Sequence, residues 1–176
     1  SNSGELAAVM EEEGRYSIDF PLLKSRRAQI SPGLVEALGA YPDEVHAGTN
    51  VLCIFGEEEI VGELRPDYRM LAGIHGAQGV IVSAKTSRIG YHFVSRYFAP
   101  KIGIDEDHAT GSAHCQLAWY WGKKLGKLLG IYFYSLTRVA RHRVHYRHVT
   151  FGLFLWDLRT FLQRQSVLKP EWCLHF

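Results

Sequence analysis

The sequence predicts an α+β domain in which a curved, mostly antiparallel sheet surrounds one long helix. Three observations carry that prediction. Ala113, Leu117, Tyr120, Trp121 and Leu125 recur at i, i+4, i+7, i+8 and i+12, one face of a helix. Short β-rich runs at 51–55, 79–84 and 91–98 precede it, the first following Asn50 and all separated by segments that hold Gly or Pro. Apolar residues make up 47% of the 176 and charged residues 22%. That is the balance of one globular domain of ordinary size, and it excludes a disordered chain.

Taken in order, Leu6 to Met10 and Tyr16 to Phe20 read as two strands joined by the solvated acidic turn Glu11 to Gly14. Tyr16, Ile18 and Phe20 alternate with Ser17 and Asp19, the pattern of a sheet with one buried face, and Pro21 ends the run. Ser31-Pro32 opens a short helix through Leu38, with Ser as N-cap, Pro at the first helical position and Gly39 past the end. Val51 to Phe55 is a strand, and Ile60 to Leu64 reads as further strand structure. Arg65-Pro66-Asp67 turns the chain into a short helix over Tyr68 to Ala72. Gly79 to Ala84 is a buried strand, and the turn Lys85 to Gly90 leads to its neighbour, Tyr91 to Phe98. Ala99 to Thr110, with Pro100, Gly103 and the acids Asp105, Glu106 and Asp107, reads as a polar turn delivering the chain to the helix.

Charge and cysteine content narrow the function classes. The net charge of +2 is unevenly spread. Residues 1–127 hold 13 Lys+Arg against 16 Asp+Glu, whereas residues 128–176 hold 7 against 2. Cys53, Cys115 and Cys173 are odd in number and widely spaced, which argues against a disulfide framework or a zinc site and for reduced thiols in a cytoplasmic protein. Cys115 reads as a buried apolar thiol. No signal peptide is evident, and no apolar run approaches the ~20 residues of a membrane helix. The chain begins at Ser1 rather than Met, from which a missing upstream part is expected.

The junction before the long helix is where chemistry is expected. The first N–H groups of a helix lack internal partners and carry partial positive charge. Gly111 and Ala113 have little side-chain bulk, so an anion can approach their amides, and Ser112 adds a hydroxyl there. Asp107 either caps these amides or faces what binds beside them; simple capping by Asp107 and Thr110 is the plainer alternative. His46, His75 and His92 are scattered singles, read as structural or surface residues. Arg96, between strand aromatics, needs a partner if buried and is read as orienting the acidic turn.

The wording of this stretch carries a resemblance. R-Y-F-A-P, G-I-D-E-D, A-T-G-S-A-H and W-G-K-K-L-G-K follow one another in order. They closely resemble the PhzF-like (phenazine biosynthesis-like) family, whose members share the fold of diaminopimelate epimerase. The family signature is an acidic pair, Pro, a small residue, then Thr-Gly-Ser-Ala; this chain has Glu106-Asp107-His108-Ala109-Thr110-Gly111-Ser112-Ala113, with His108 at the place of Pro. The resemblance implies an isomerase that moves a proton on a small carboxylated substrate without metal or organic cofactor. It implies two similar domains facing each other across a cleft, with a glutamate base and a Gly-His-Ala-Thr motif on the first, outside these residues. Asp107 and Ser112 become the expected catalytic residues, and Thr110, Gly111, Ala113 and His108 the expected substrate-binding ones. Residues 1–20 would end the first domain and cross over, and 21–127 would form the second. This chain alone is then expected to be inactive. The alternative is a non-catalytic anion-binding or scaffold protein that has lost the catalytic half. A small carboxylated substrate and a second copy of the chain are the expected partners; no membrane partner is expected.

Residues 128–176 depart from that pattern. They hold 10 of the 22 aromatics, few acids and no Arg-Gly-Gly turn. His142, His145 and His148 invite a metal reading, but Arg141, Arg143 and Arg147 repel a further cation. Basic residues interleaved with aromatics invite a nucleic-acid reading, which is disfavoured. The favoured reading is an atypical tail that is not family sequence, poorly packed and cut first by protease between Arg138 and Arg147.

Overall fold

The computed structural model describes residues 8–10, 15–19, 22–107, 110–126, 131–135, 145–150 and 153–157, with side chains for 22–107 and 110–126. Its strands are β1 (Ala8–Met10), β2 (Arg15–Asp19), β3 (Arg26–Ala28), β4 (Glu44–Ala47), β5 (Val51–Phe55), β6 (Val80–Lys85), β7 (Phe93–Ala99), β8 (Ile104–Asp107), β9 (Ile131–Ser135), β10 (His145–Thr150) and β11 (Leu153–Asp157). The helices are α1 (Pro32–Leu38), α2 (Glu58–Glu63), α3 (Tyr68–Ala72) and α4 (Gly111–Leu125). All these strands join one mixed sheet in the order β1-β2-β11-β10-β9-β7-β6-β5-β4-β3, with β8 paired to β7 off that path. β5–β6 and β7–β9 run parallel and the other pairs antiparallel. The α+β class expected from the sequence therefore holds.

The central strands are apolar at almost every position because both faces are covered. On one face, Leu52, Ile54, Ile81, Phe93 and Tyr97 pack against Ala113, Leu117 and Trp121 of α4. Phe93 and Trp121 stack with centroids 5.4 Å apart, and the Trp121 indole donates to Ser83 Oγ at 3.0 Å. On the other face, Phe55, Val82, Val94 and Phe98 pack with Leu34 and Leu38 of α1, Val61 of α2 and Leu71 of α3. α1 starts and stops as its sequence dictates: Ser31 Oγ accepts from the Leu34 amide at 3.3 Å, and Gly39 takes φ 70°. Asp67 likewise caps α3 through the Met70 amide at 3.0 Å.

Two expectations are corrected. Ile60 to Leu64 is not strand structure but lies in and just after α2. Its β-branched pair, Ile60-Val61, suggests a strand, but only Val61 of the helix is buried, while Glu58 and Glu59 sit in the first turn where the helix dipole favours acids. Ala99 to Thr110 is not simply a turn. It holds a 3-10 turn at Pro100–Ile102 and then β8. Beyond Lys127, where no strand–turn punctuation is legible, β9 pairs with β7, β10 with β9 and β11, and β11 with β2.

Candidate active site at the start of the long helix

The site is placed by a fork in the sheet. One edge of β7 is shared by two strands: β8 pairs at Tyr97 and Ala99, and β9 at Phe93 to Ser95. β8 is antiparallel and β9 parallel to β7, so the two run towards each other along that edge. Asp107, the last residue of β8, lies opposite Tyr97 near their meeting point, and the chain then leaves the sheet to begin α4.

β8 is held in that orientation from its other face. Neighbouring residues of a strand point to opposite sides, so Glu106 faces away from Asp107. Glu106 meets the buried Arg96 in a two-pronged pair, Nε to Oε1 at 2.8 Å and Nη2 to Oε2 at 3.0 Å. Arg96 Nη1 also donates to the Val61 and Leu64 carbonyls, each at 3.0 Å, satisfying the end of α2. The expected role of Arg96 in orienting the acidic turn is thus borne out, with Glu106 as its partner.

Asp107 and Thr110 are brought together: the Thr110 hydroxyl donates to Asp107 Oδ2. Thr110 occupies the N-cap of α4, yet its side chain makes no capping bond. Its hydroxyl is given to the carboxylate rather than taken by a helix amide. Gly111, Ser112 and Ala113 then form the first turn, Gly111 and Ala113 buried and Ser112 partly open. His108 and Ala109 lie outside the described residues.

His114, Asn50, Tyr97 and Gln116 complete the surroundings and were not singled out as site residues by sequence reasoning. His114 Nδ1 lies 2.7 Å from the Thr110 carbonyl, which only an Nδ1–H donor can satisfy. Burial drives its pKa down to about 4, against the opposing pull of that carbonyl and of Asp107, so it stands neutral beside the helix start. Tyr97 is pushed up to about 12, by burial first and by the Asp107 charge second. Its hydroxyl remains a neutral donor, given to Asn50 Oδ1 at 3.1 Å. The signal for His114 was in the quoted A-T-G-S-A-H run; Asn50 carried none, because only the fold brings it across 66 residues to Gln116.

Other candidates fall elsewhere. Cys53 and Cys115 are free and buried, their thiols pushed up to about 12 by burial, which bears out the apolar reading of Cys115. His46 packs edge-on to Tyr120 at the far end of α4 and sits 3.1 Å from Glu44, which also takes Lys124 at 2.9 Å. A cavity of about 400 Å³ beside β3 and β4, lined by Arg27, Tyr41 and Glu44 among others, includes no residue of the helix start. Among the described residues no helix is long and apolar enough to cross a membrane, and no group of three or more His, Cys, Asp or Glu is placed to hold a metal ion. The side chains of His142, His145 and His148 lie outside the described residues.

Comparison with known proteins agrees with the motif. The family model described as phenazine biosynthesis-like protein matches residues 17–143, extending past residue 127. An uncharacterized isomerase of Pseudomonas aeruginosa is 39% identical over 127 residues, covering 72% of this chain and 48% of its own. An uncharacterized isomerase of Halalkalibacterium halodurans is 32% identical over 152 residues, covering 84% and 56%. The crystal structure of a PhzF-family phenazine biosynthesis protein from Enterococcus faecalis superposes with a TM-score of 0.74 at 32% identity, over 85% of this chain and 55% of that one. The chain spans about half the length of the curated relatives it matches. With the motif, the fold and these relatives in agreement, the chain belongs to the phenazine biosynthesis-like protein family, several of whose members are named isomerases.

Proposed function

We propose that this chain supplies one wall of an isomerase active site, on a domain of the diaminopimelate epimerase-like fold. The wall holds a small carboxylated substrate while a proton is moved at one of its carbons. The carrying observation is the start of α4, where the Thr110 side chain makes no capping bond and gives its hydroxyl to Asp107. Amides and dipole at Gly111 to Ala113 seat an anion and stabilise charge that develops as a C–H bond breaks. Ser112 adds a hydrogen bond to the anion, and Asp107 contacts a substrate amine or hydroxyl or passes a proton. The resemblance implies a glutamate base on a second, facing wall outside these residues, and no metal or organic cofactor.

Deuterium uptake from heavy water into the carbon positions of small amino and hydroxy acids tests this reading, with mass spectrometry as the readout. A protein pairing this domain with the facing one is expected to catalyse uptake for at least one acid. Asp107→Asn should abolish that uptake, and this chain alone should show none. Uptake that persists in Asp107→Asn, or that this chain performs unaided, overturns the two-wall reading.

A further inference from the structure

A buried polar chain connects the helix of the candidate site to the strand that carries its carboxylate. Gln116 lies one turn beyond Ser112 on the same side of α4. It pairs with both backbone polar groups of Asn50: Asn50 N donates to Gln116 Oε1 at 3.1 Å, and Gln116 Nε2 donates to Asn50 O at 2.9 Å. Asn50 Oδ1 takes the Tyr97 hydroxyl, and Tyr97 lies directly opposite Asp107. Space for the chain is reserved in the backbone. A Cβ on Gly79 would lie 2.5 Å from the Tyr97 oxygen, and one on Gly48 would lie 3.1 Å from Gln116 Nε2. Asn50 and Gln116 are fully buried, and Tyr97 nearly so.

One donor of this arrangement is unmet. Among the described residues, Asn50 Nδ2 is buried with no hydrogen-bond partner. A buried network with an unmet donor serves a core less well than apolar side chains of the same shape. Local rules of this kind are broken where placement matters more than stability.

We propose that Asn50, Tyr97 and Gln116 are positioning residues that set the spacing between Asp107 and the anion-seating first turn of α4. The inference rests on the functional reading above and assigns these residues a part in it. Geometry is held because each link is a directional hydrogen bond between rigid elements, and a register slip of α4 along the sheet breaks the Gln116 pair first.

The test follows the backbone amide resonances of Gly111, Ser112 and Ala113 in this chain as benzoate is added. Saturable shifts are expected in the unaltered chain, and Tyr97→Phe, which removes only the hydroxyl, should raise the dissociation constant about threefold to tenfold. A purely structural role would lower the thermal midpoint and leave the affinity of folded molecules unchanged. A second measurement needs no variant. By linkage, benzoate at the helix start should slow hydrogen exchange at the Asn50 amide relative to Val82 in the sheet. Saturable binding with unchanged Tyr97→Phe affinity and unchanged Asn50 exchange overturns the positioning role alone; the absence of benzoate shifts in the unaltered chain overturns the anion seat and the positioning role together.

Discussion

At the scale of single residues, the site is defined by which donor goes to which acceptor. Asn and Asp serve about equally as helix caps. If Asp107 does no more than cap α4, Asp107→Asn leaves the thermal midpoint unchanged and also leaves ligand affinity unchanged. With Asp107 in the site, the midpoint should hold and benzoate affinity should change, because the carboxylate that receives the Thr110 hydroxyl becomes an uncharged amide. His114 makes a separate prediction. Its folded pKa of about 4 lies below the ordinary 6.5, so between those values the unfolded chain binds the extra proton. Stability should therefore be fully present above about pH 6.5 and fall as pH drops towards 4, by on the order of 2–3 kcal/mol for this buried group. Denaturant unfolding of the chain and of His114→Asn across that range measures it: the variant should be flatter. An equally steep profile in the variant would mean that other groups carry the acid sensitivity.

At the scale of elements, the buried Arg96–Glu106 pair ties β8, which pairs with β7, to the strand that carries Arg96. Removing one partner of such a pair leaves an uncompensated buried charge and typically costs about 3–5 kcal/mol. Arg96→Met is thus expected to lower stability by about that amount in urea unfolding, and Arg96→Met with Glu106→Leu to recover part of it. A loss no larger than that of an exposed arginine would remove the clamp from the account. The same pair marks the limit of what the sequence discloses. α1, α3 and α4 were legible because their caps and periods are local: Ser31 with Pro32 and Gly39, Asp67 before Tyr68, and the i, i+4, i+7 stripe of α4. β8 was not legible, since Asp105-Glu106-Asp107 has the composition of a turn and its pairing with β7 and Arg96 exists only in the fold. β3 and β4 were missed for a related reason: Arg26-Arg27-Ala28 carries no alternation, and its partner strand is found only in the fold. The candidate site follows the same division. Asp107, Thr110 and the Gly-Ser-Ala turn stand in one sequence motif, while Asn50 and Tyr97 reach it only through the sheet and Gln116.

At the scale of the whole molecule, the helix start lies where β8 and β9 meet along one edge of β7, and the chain covers about half the length of relatives named isomerases. On the proposed reading, the first amides and dipole of α4 would seat an anion within this chain alone, whatever faces it. Charge is the discriminating variable, since the proposed seat would act on a carboxylate and not on the ring attached to it. The most direct test is to titrate the unaltered chain with benzoate and, separately, with the neutral benzamide, following the amides of Gly111, Ser112 and Ala113. Saturable shifts confined to these residues with benzoate and absent with benzamide are the expected result; equal shifts with both, or none with either, would contradict the anion seat at the start of α4.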